Sequence, residues 1–234
     1  MTVWYRAPLL LLALAGAAGC AQTTVVEQQG YQGPRLARPD RIIVYDFAAS
    51  AADLPPGYNV AVAAPNLPQT PDERSLGQKL GAEIAKDLVS ELQAAGLPAV
   101  QATPQNPPRL GDITIVGYFV SIDSGNIAKR IALGFGSGAA DLKTVVEAYL
   151  MTRQEGLRRL GSGELNSEGP KGPGEALPLA VAAASDNPIG LIVSSAAKVE
   201  GEASGRTTVE GSAKRTAKEI GEKLKAAAQQ QGWI

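Results

Sequence analysis

The chain has no histidine at all, and Cys20 is its only cysteine. Histidine is the commonest general base near neutral pH and the commonest metal ligand in proteins. Its absence excludes Ser-His-Asp and Cys-His nucleophilic arrangements, together with zinc sites built from nitrogen and sulfur ligands. Chemistry based on carboxylates alone or on a Ser-Lys pair stays open, but neither has a recognisable signature here. We therefore predict that the protein is not an enzyme and carries no metal and no cofactor.

An excess of charge of either sign is also missing. The chain has 22 Lys and Arg against 23 Asp and Glu, which gives a formal net charge of −1. This balance provides no basic footprint for a nucleic acid and no polybasic segment for anionic lipid head groups. Aromatic residues make up only 5% of the chain, whereas hydrophobic residues make up 44%. The core is therefore expected to consist mainly of Val, Ile, Leu and Ala.

The N-terminal stretch MTVWYRAPLLLLALAGAAGCAQ contains an apolar run that is too short for a comfortable membrane span. As a helix, residues 7–18 would rise about 18 Å, against a hydrocarbon core of about 30 Å. The charged start at Arg6, the apolar run and the small residues that follow are instead typical of a secretory signal over residues 1–19. The AAGC stretch resembles the lipobox of bacterial lipoproteins. This resemblance implies cleavage before Cys20, followed by acylation of its sulfur and of the new amine.

The residues around this cysteine also predict where the protein is held. Two or more acyl chains give stable membrane binding where one chain would not. Ala21 follows the cysteine, in place of the Asp that resembles an inner-membrane retention signal. We therefore expect a lipid anchor at Cys20 on the periplasmic face of the outer membrane. The alternative is an ordinary signal peptide that happens to end near a cysteine.

Beyond the anchor, the pattern predicts a disordered tether over residues 20–38 and a single α+β domain over residues 39–234. A flexible chain of the tether's length has an average reach of about 25 Å, which would lift the domain clear of the lipid head groups. The domain is expected to contain a mixed sheet of about four to six strands, packed with an amphipathic helix at about 71–95 and with C-terminal helices.

The amphipathic helix is the clearest element, because leucine or isoleucine recurs at every fourth residue. Thr70, Pro71 and Glu73 are arranged as a capping box with proline in the first helical position, and Gly96 with Pro98 ends the helix. Its apolar face is formed by Leu76, Leu80, Ile84, Leu88 and Leu92.

The strands are predicted from β-branched and alternating apolar stretches. ITIVGYFVSID, residues 113–123, is apolar on both faces, which predicts a central strand covered on each side. The other predicted strands are RIIVYDFA (41–48), a short one at Val60 to Ala63, PAVQA after the helix, LKTVVEAYLMT (142–152) and, more weakly, RRLGSGELNSEG. Residues 189–200 and the run from Val209 to Gln231 are helical in composition. Trp233 either anchors this last helix or belongs to a frayed tail.

The stretch LGFGSGAADL, residues 133–142, invites a ligand-binding interpretation. A phosphate loop needs a helix after it, with Lys and Ser or Thr directly after the last glycine. Two alanines and a β-branched run follow here instead. The glycines have a spacing of two, which places them on one face of a strand and favours close packing or a bulge. The residues concerned are Arg130, Gly134, Gly136 and Gly138.

The order of segments resembles a family of bacterial envelope lipoproteins catalogued as domain of unknown function 4410. The resemblance rests on GYFVSIDSGNIAKRIALGFGSGAADLKTVVEAYL, with LGQKLGAEIAKDLVSELQAAGL before it and GSAKRTAKEIGEKLKAAAQQQGW at the end, over roughly residues 39–233. It implies an envelope lipoprotein, often associated with the outer membrane, and it brings no catalytic residues. The most recognisable positions of the family match Arg130, Gly134, Gly136, Gly138 and Leu142, for which it implies a structural role.

Three functions are consistent with the sequence. The first is a lipid-anchored interaction module that binds an envelope protein and is accessory to envelope assembly or transport. The second is a small-ligand binder that uses the glycine-rich 134–138 region with Arg130, and the third is a hydrolase that uses Asp123 or Asp141. An open sheet edge or an exposed apolar patch would favour the first function. A polar cleft near Arg130 would favour the second, and a facing pair of buried carboxylates the third.

Overall fold

A computed structural model of the chain describes residues 21–58, 70–123, 140–169, 191–193 and 208–234. Within these residues, seven strands form one mixed sheet and two α-helices accompany it, which confirms the α+β class. The strands are β1 (Gln22–Gln29), β2 (Ile42–Val44), β3 (Ala99–Gln101), β4 (Ile113–Asp123), β5 (Asp141–Thr152), β6 (Gly156–Glu168) and β7 (Leu191–Val193), and the helices are α1 (Pro71–Ala94) and α2 (Val209–Gln231).

The sheet has the strand order β1-β6-β5-β4-β2-β3, and β7 pairs beside β4. Strand β4 pairs with β5, β5 with β6 and β6 with β1, and these three pairs are antiparallel. Strands β2 and β7 both pair with β4 in parallel. One edge of β4 is covered by β5, and the other is covered in turn by β2, by a bridge from Ala48 to Tyr118, and by β7. The predicted central position of β4 is therefore confirmed.

Helix α1 begins as its capping signals predict. The Thr70 hydroxyl accepts a hydrogen bond from the backbone N–H of Glu73 at 3.2 Å, and the Glu73 carboxylate accepts one from the Thr70 N–H at 2.8 Å. The helix ends at Ala94, and Gly96 then turns the chain with a φ of +81°. The predicted apolar face is confirmed, since Leu76 is half-buried and four residues are fully buried, namely Leu80, Ile84, Leu88 and Leu92.

A glycine allows α1 to lie directly against the chain that follows β2. The backbone N–H of Phe47 donates to the carbonyl of Gly81 at 3.2 Å, and a Cβ on Gly81 would overlap with the Phe47 carbonyl oxygen. The Phe47 ring lies over Gly117 of β4, where a Cβ would overlap with that ring. Because Gly81 and Gly117 have no side chain, the helix, this loop and the sheet can pack closely together.

The opposite face of the sheet has a separate, smaller apolar cluster. Tyr58, from the loop after β2, packs edge-to-face on Tyr149 of β5 with 5.2 Å between the ring centroids. Tyr118 of β4 belongs to the same cluster, and burial raises the pKa of its hydroxyl to about 12. Glu147 is buried beside these rings, where it accepts from the Tyr149 hydroxyl and from Arg159 at 3.2 Å. The sheet is thus covered on both faces around β4 and β5.

The predicted disordered tether over residues 20–38 is wrong at residues 22–29, which form β1. Residues of β1 form an antiparallel pair with β6 that runs from Gln22 opposite Glu168 to Gln29 opposite Ser162. A polar stretch can join the sheet here because a strand at the edge keeps one side in water. Val25 packs against the main core, which ties this strand to the domain.

The C-terminal part differs from the prediction in one place. The apolar segment 189–200, expected to be helical, contains β7, which pairs in parallel with β4. The predicted helix from Val209 to Gln231 is confirmed as α2, and it ends at Gly232 with a φ of +76°. The Trp233 indole N–H donates to the Leu36 carbonyl at 3.0 Å and the ring packs against the core, so this residue anchors the helix.

Several predicted features lie outside the described residues. They are the signal over residues 1–19, the acylated Cys20 and the short strand at Val60 to Ala63.

Candidate functional site

A cavity of about 450 Å³ lies between the C-terminal half of α2 and the sheet. Its walls come from β1, the segment 30–36, strands β4 to β6 and helix α2. The volume falls within the range of about 300–1,000 Å³ that is typical of small-molecule sites. The cavity is therefore large enough to hold a ligand.

Small residues keep this space open. Gly163 of β6 and Ala148 of β5 form part of the floor, and Ala227 of α2 forms part of the wall above. A Cβ on Gly163 would meet only Val146 Cγ1 at 3.8 Å and the Glu27 carbonyl oxygen at 3.7 Å, which are ordinary contacts. The helix therefore spans this part of the sheet without filling the gap beneath it.

The lining of the cavity is mainly apolar and its rim is polar. Lys223 of α2 is the one charged side chain among the described lining residues, and its Nζ lies 3.5 Å from the Glu219 carboxylate. Three glutamines, Gln28, Gln32 and Gln230, also line the cavity. The apolar surface comes from aliphatic side chains and one indole, among them Ile115, Val146, Leu160, Leu165, Leu224 and Trp233.

Strand β1 forms the outer wall of the cavity and is also, among the described strands, the last one at its end of the sheet. Within the described residues, β6 is the one strand that pairs with β1. The pairing register shifts between Val25 and Glu27, and Val26 at this bulge is 61% exposed. A free strand edge presents a row of backbone donors and acceptors that another strand can pair with.

Three carboxylates occupy adjacent positions across β4, β5 and β6. Asp123 lies opposite Asp141, and Asp141 lies opposite Glu168. Burial raises the pKa of Asp141 to about 6, and the nearby Glu168 charge adds to this rise. Asp123 is exposed, so these two aspartates are not the facing buried pair that the hydrolase hypothesis requires. No group of Cys, Asp and Glu within the described ranges is arranged to hold a metal ion.

Asp141→Asn is expected to stabilise the protein at pH 8 and to change its stability little at pH 4. The folded-state pKa of about 6 lies above the ordinary value of 3.8. The folded state therefore binds this proton more tightly than the unfolded chain does, which stabilises the fold at low pH. This contribution to stability is lost as the pH rises through about 6. The buried Asp141 Oδ1 atom has no hydrogen-bond partner, so no donor stabilises the negative charge at this oxygen. Thermal melts of both proteins between pH 4 and pH 8 measure the difference.

An exposed aspartate provides the control for this pH series. Asp40 is exposed, so Asp40→Asn makes the same substitution at the surface and should change the melting temperature little. Equal pH profiles for Asp141→Asn and the wild type would show that Asp141 ionises in the fold as it does in the unfolded chain.

The sequence-predicted site residues divide into two groups. Asp123 and Asp141 are brought together, whereas the others lie outside the described residues, namely Cys20, Arg130, Gly134, Gly136 and Gly138. Sequence reasoning missed the cavity, since its lining comes from several elements far apart in the chain. The local signal that could have pointed to it is the GSG stretch of β6, where two glycines share one face of the strand.

The part of the chain that the structure describes contains no helix with the length and apolarity to cross a membrane. Its architecture defines an α+β domain in which two helices accompany one mixed sheet. The chain belongs to the family described as Domain of unknown function (DUF4410), which matches residues 42–186. This match is shorter than the resemblance over 39–233, and it excludes β1 and α2, which form two walls of the cavity.

Two solved structures show a distant likeness to the chain. The PelC dodecamer from Paraburkholderia phytofirmans has 17% sequence identity and a TM-score of 0.37, over 64% of this chain and 86% of that chain. A single-substitution variant of that dodecamer has 17% identity and a TM-score of 0.36, over 64% of this chain and 85% of that chain. Similarity at this level does not indicate the function of this chain. No curated protein matches the sequence.

Proposed function

We propose that this protein is a lipid-anchored interaction module of the cell envelope, held at the periplasmic face of the outer membrane through Cys20. It has no catalytic activity of its own and is accessory to envelope assembly or transport. The observation that carries the proposal is the edge of β1 that no strand of the described residues pairs with. This edge is the feature that favours an interaction module over a ligand binder or a hydrolase.

The position of β1 along the chain supports this function. Gln22, the first residue of the strand, is the second residue after Cys20. Two residues of extended chain span at most about 7 Å, so an anchor at Cys20 holds the sheet edge close to the lipid surface. A partner in the same membrane then meets the edge at a high effective concentration.

The composition of β1 suits pairing with a partner strand. In strand addition, the main-chain hydrogen bonds supply affinity and the alternating side chains supply specificity. The strand reads QTTVVEQQ, and its side chains are mostly exposed and polar. Val26 is the exception, as an exposed apolar side chain on the edge. We therefore expect an extended segment of an envelope protein to pair along β1 and to contact Val26.

The test is site-specific photo-crosslinking in intact cells. A photo-reactive residue at Thr24, which is exposed on β1, should yield a discrete adduct with an envelope protein. Val26→Lys should reduce that adduct to background, because a lysine on a strand edge opposes the pairing of another strand. Since Val26 is 61% exposed, the substitution should change the free energy of unfolding by no more than about 0.5 kcal/mol.

Two controls separate the β1 edge from the rest of the surface. Leu110 is 55% exposed in the loop before β4, so Leu110→Lys introduces the same change elsewhere and should leave the adduct intact. A photo-reactive residue at Lys79, exposed on α1, should not give the same adduct. Equal adducts from Thr24 and Lys79, or an adduct from Thr24 that survives Val26→Lys, would refute the proposed edge.

A further inference from the structure

We propose that the cavity between α2 and the sheet binds one long-chain fatty acid, with the hydrocarbon chain inside and the carboxylate at Lys223. This inference goes beyond the interaction module and does not depend on it, since it concerns the inner side of β1 rather than its open edge. It rests on the volume of the cavity, the apolar character of its lining and the one cationic side chain among the described lining residues.

The volume fits one acyl chain. The space of about 450 Å³ lies within the range of about 300–1,000 Å³ that is typical of small-molecule sites. One extended acyl chain with a small head group is a ligand of this size. We therefore take a single-chain amphiphile as the ligand.

The lining favours hydrocarbon over a polar ligand. Leu160 of β6, Val146 of β5 and Leu224 of α2 line the cavity and are only half-buried, so apolar surface stays in contact with water. Covering this surface with methylene groups removes apolar area from water on both sides of the contact, which is the usual source of apolar affinity. A ligand that is polar along its whole length would place polar groups against the apolar lining, where the polar side chains of the rim cannot form hydrogen bonds with them.

The charge of the lining determines the head group. Lys223 is the one charged side chain among the described lining residues, and it is about half exposed. Its ammonium group carries three donors, so it can hold Glu219 and a ligand carboxylate together. Gln28 and Gln230 also line the cavity. A ligand carboxylate can accept a hydrogen bond from a donor of this ammonium group that the Glu219 pair does not use, whereas a methyl ester offers no charge to it.

The experiment uses Trp233, which lines the cavity, as the reporter. The chain has two tryptophans, and Trp4 lies in the predicted signal, so Trp233 is the sole tryptophan of a chain cleaved before Cys20 and of a full chain that carries Trp4→Phe. Brominated palmitate quenches an indole that it contacts. We expect saturable quenching of Trp233, and we expect unlabelled palmitate to reverse it in proportion to its concentration.

Three further substitutions locate the chain and the head group. Gly163→Leu projects a side chain into the cavity from a position where a Cβ meets only ordinary contacts, so it should fold and weaken binding by about tenfold or more. Lys223→Gln should weaken palmitate binding by about tenfold and leave methyl palmitate binding unchanged. Lys218→Gln is the matched control, because Lys218 also pairs with a glutamate on α2 but does not line the cavity.

Each outcome of this series has a defined meaning. Saturable quenching that Gly163→Leu and Lys223→Gln weaken, and that Lys218→Gln leaves unchanged, supports the fatty-acid site. Absence of quenching, or quenching that Gly163→Leu does not affect while its melting temperature matches the wild type, overturns it. Binding of lysophosphatidylglycerol without binding of palmitate also overturns it, since the ligand would then be recognised by a phosphate head group. None of these outcomes bears on the crosslinking from Thr24.

Discussion

Cys20→Ser is expected to move the protein from the membrane fraction to the soluble periplasmic fraction. Each methylene group of an acyl chain contributes about 0.8 kcal/mol to membrane binding, so two or more chains supply nearly all of the membrane affinity. The described part of the chain offers no spanning helix to replace them. With a formal net charge of −1, the chain also lacks the basic excess that would hold it on anionic lipids.

Fractionation followed by a carbonate wash measures this change. Ala21→Ser is a suitable control, because it alters the neighbouring residue and leaves the acylated cysteine in place. Mass spectrometry of the wild type should show the added acyl chains at Cys20, and the Cys20→Ser protein should lack them. If the Cys20→Ser protein stayed in carbonate-washed membranes, the lipoprotein interpretation would be wrong. Strand β1 would then have no acyl anchor to hold it at the lipid surface.

Ile84→Ala is expected to lower the free energy of unfolding by about 2–5 kcal/mol. Ile84 has no exposed surface and belongs to the main core between α1 and the sheet. The cost depends on how far the surroundings can collapse into the space left behind. Gly81, one turn earlier, already lies against the Phe47 backbone, so α1 cannot move closer. We therefore expect a value in the upper part of this range.

Denaturant unfolding of both proteins gives this difference directly. Leu76→Ala is the matched control, because it removes the same number of carbon atoms from the same helix at a half-buried position. It should cost clearly less than Ile84→Ala, since less apolar surface returns to water. Equal losses at the two positions would mean that burial against the core does not set the cost, contrary to the packing described here.

Local signals predicted α1 and β4 with accurate bounds. The capping box at Thr70 and the repeat of apolar residues are signals between residues a few positions apart, and they predict the helix. The structure places this helix at Pro71–Ala94. The strand at Ile113–Asp123 is apolar on both faces, and this is the pattern of a strand covered on each side. Both features depend on residues that are neighbours in sequence, so no knowledge of the partners is needed.

Strand β1 shows where local signals fail. Its sequence, QTTVVEQQ, is polar and lacks a clear alternation, so it reads as a tether. It joins the sheet because the edge of β6 is available for pairing and because Val25 packs against the main core. The Thr23 hydroxyl also hydrogen bonds to the Ser167 hydroxyl at 2.8 Å, across 144 residues of sequence. A strand whose stability comes from its partner cannot be predicted without that partner.

The sequence by itself determined the α+β class, the two long helices, the central strand and the absence of histidine chemistry. It did so because helix periodicity, capping and strand alternation are properties of consecutive residues. Only the tertiary structure decided the pairing of β1 with β6, the contact of Gly81 with Phe47 and the cavity beneath α2. Each of these joins residues that are distant in the chain, and whether a glycine leaves a gap or allows a contact depends on what the fold places opposite it.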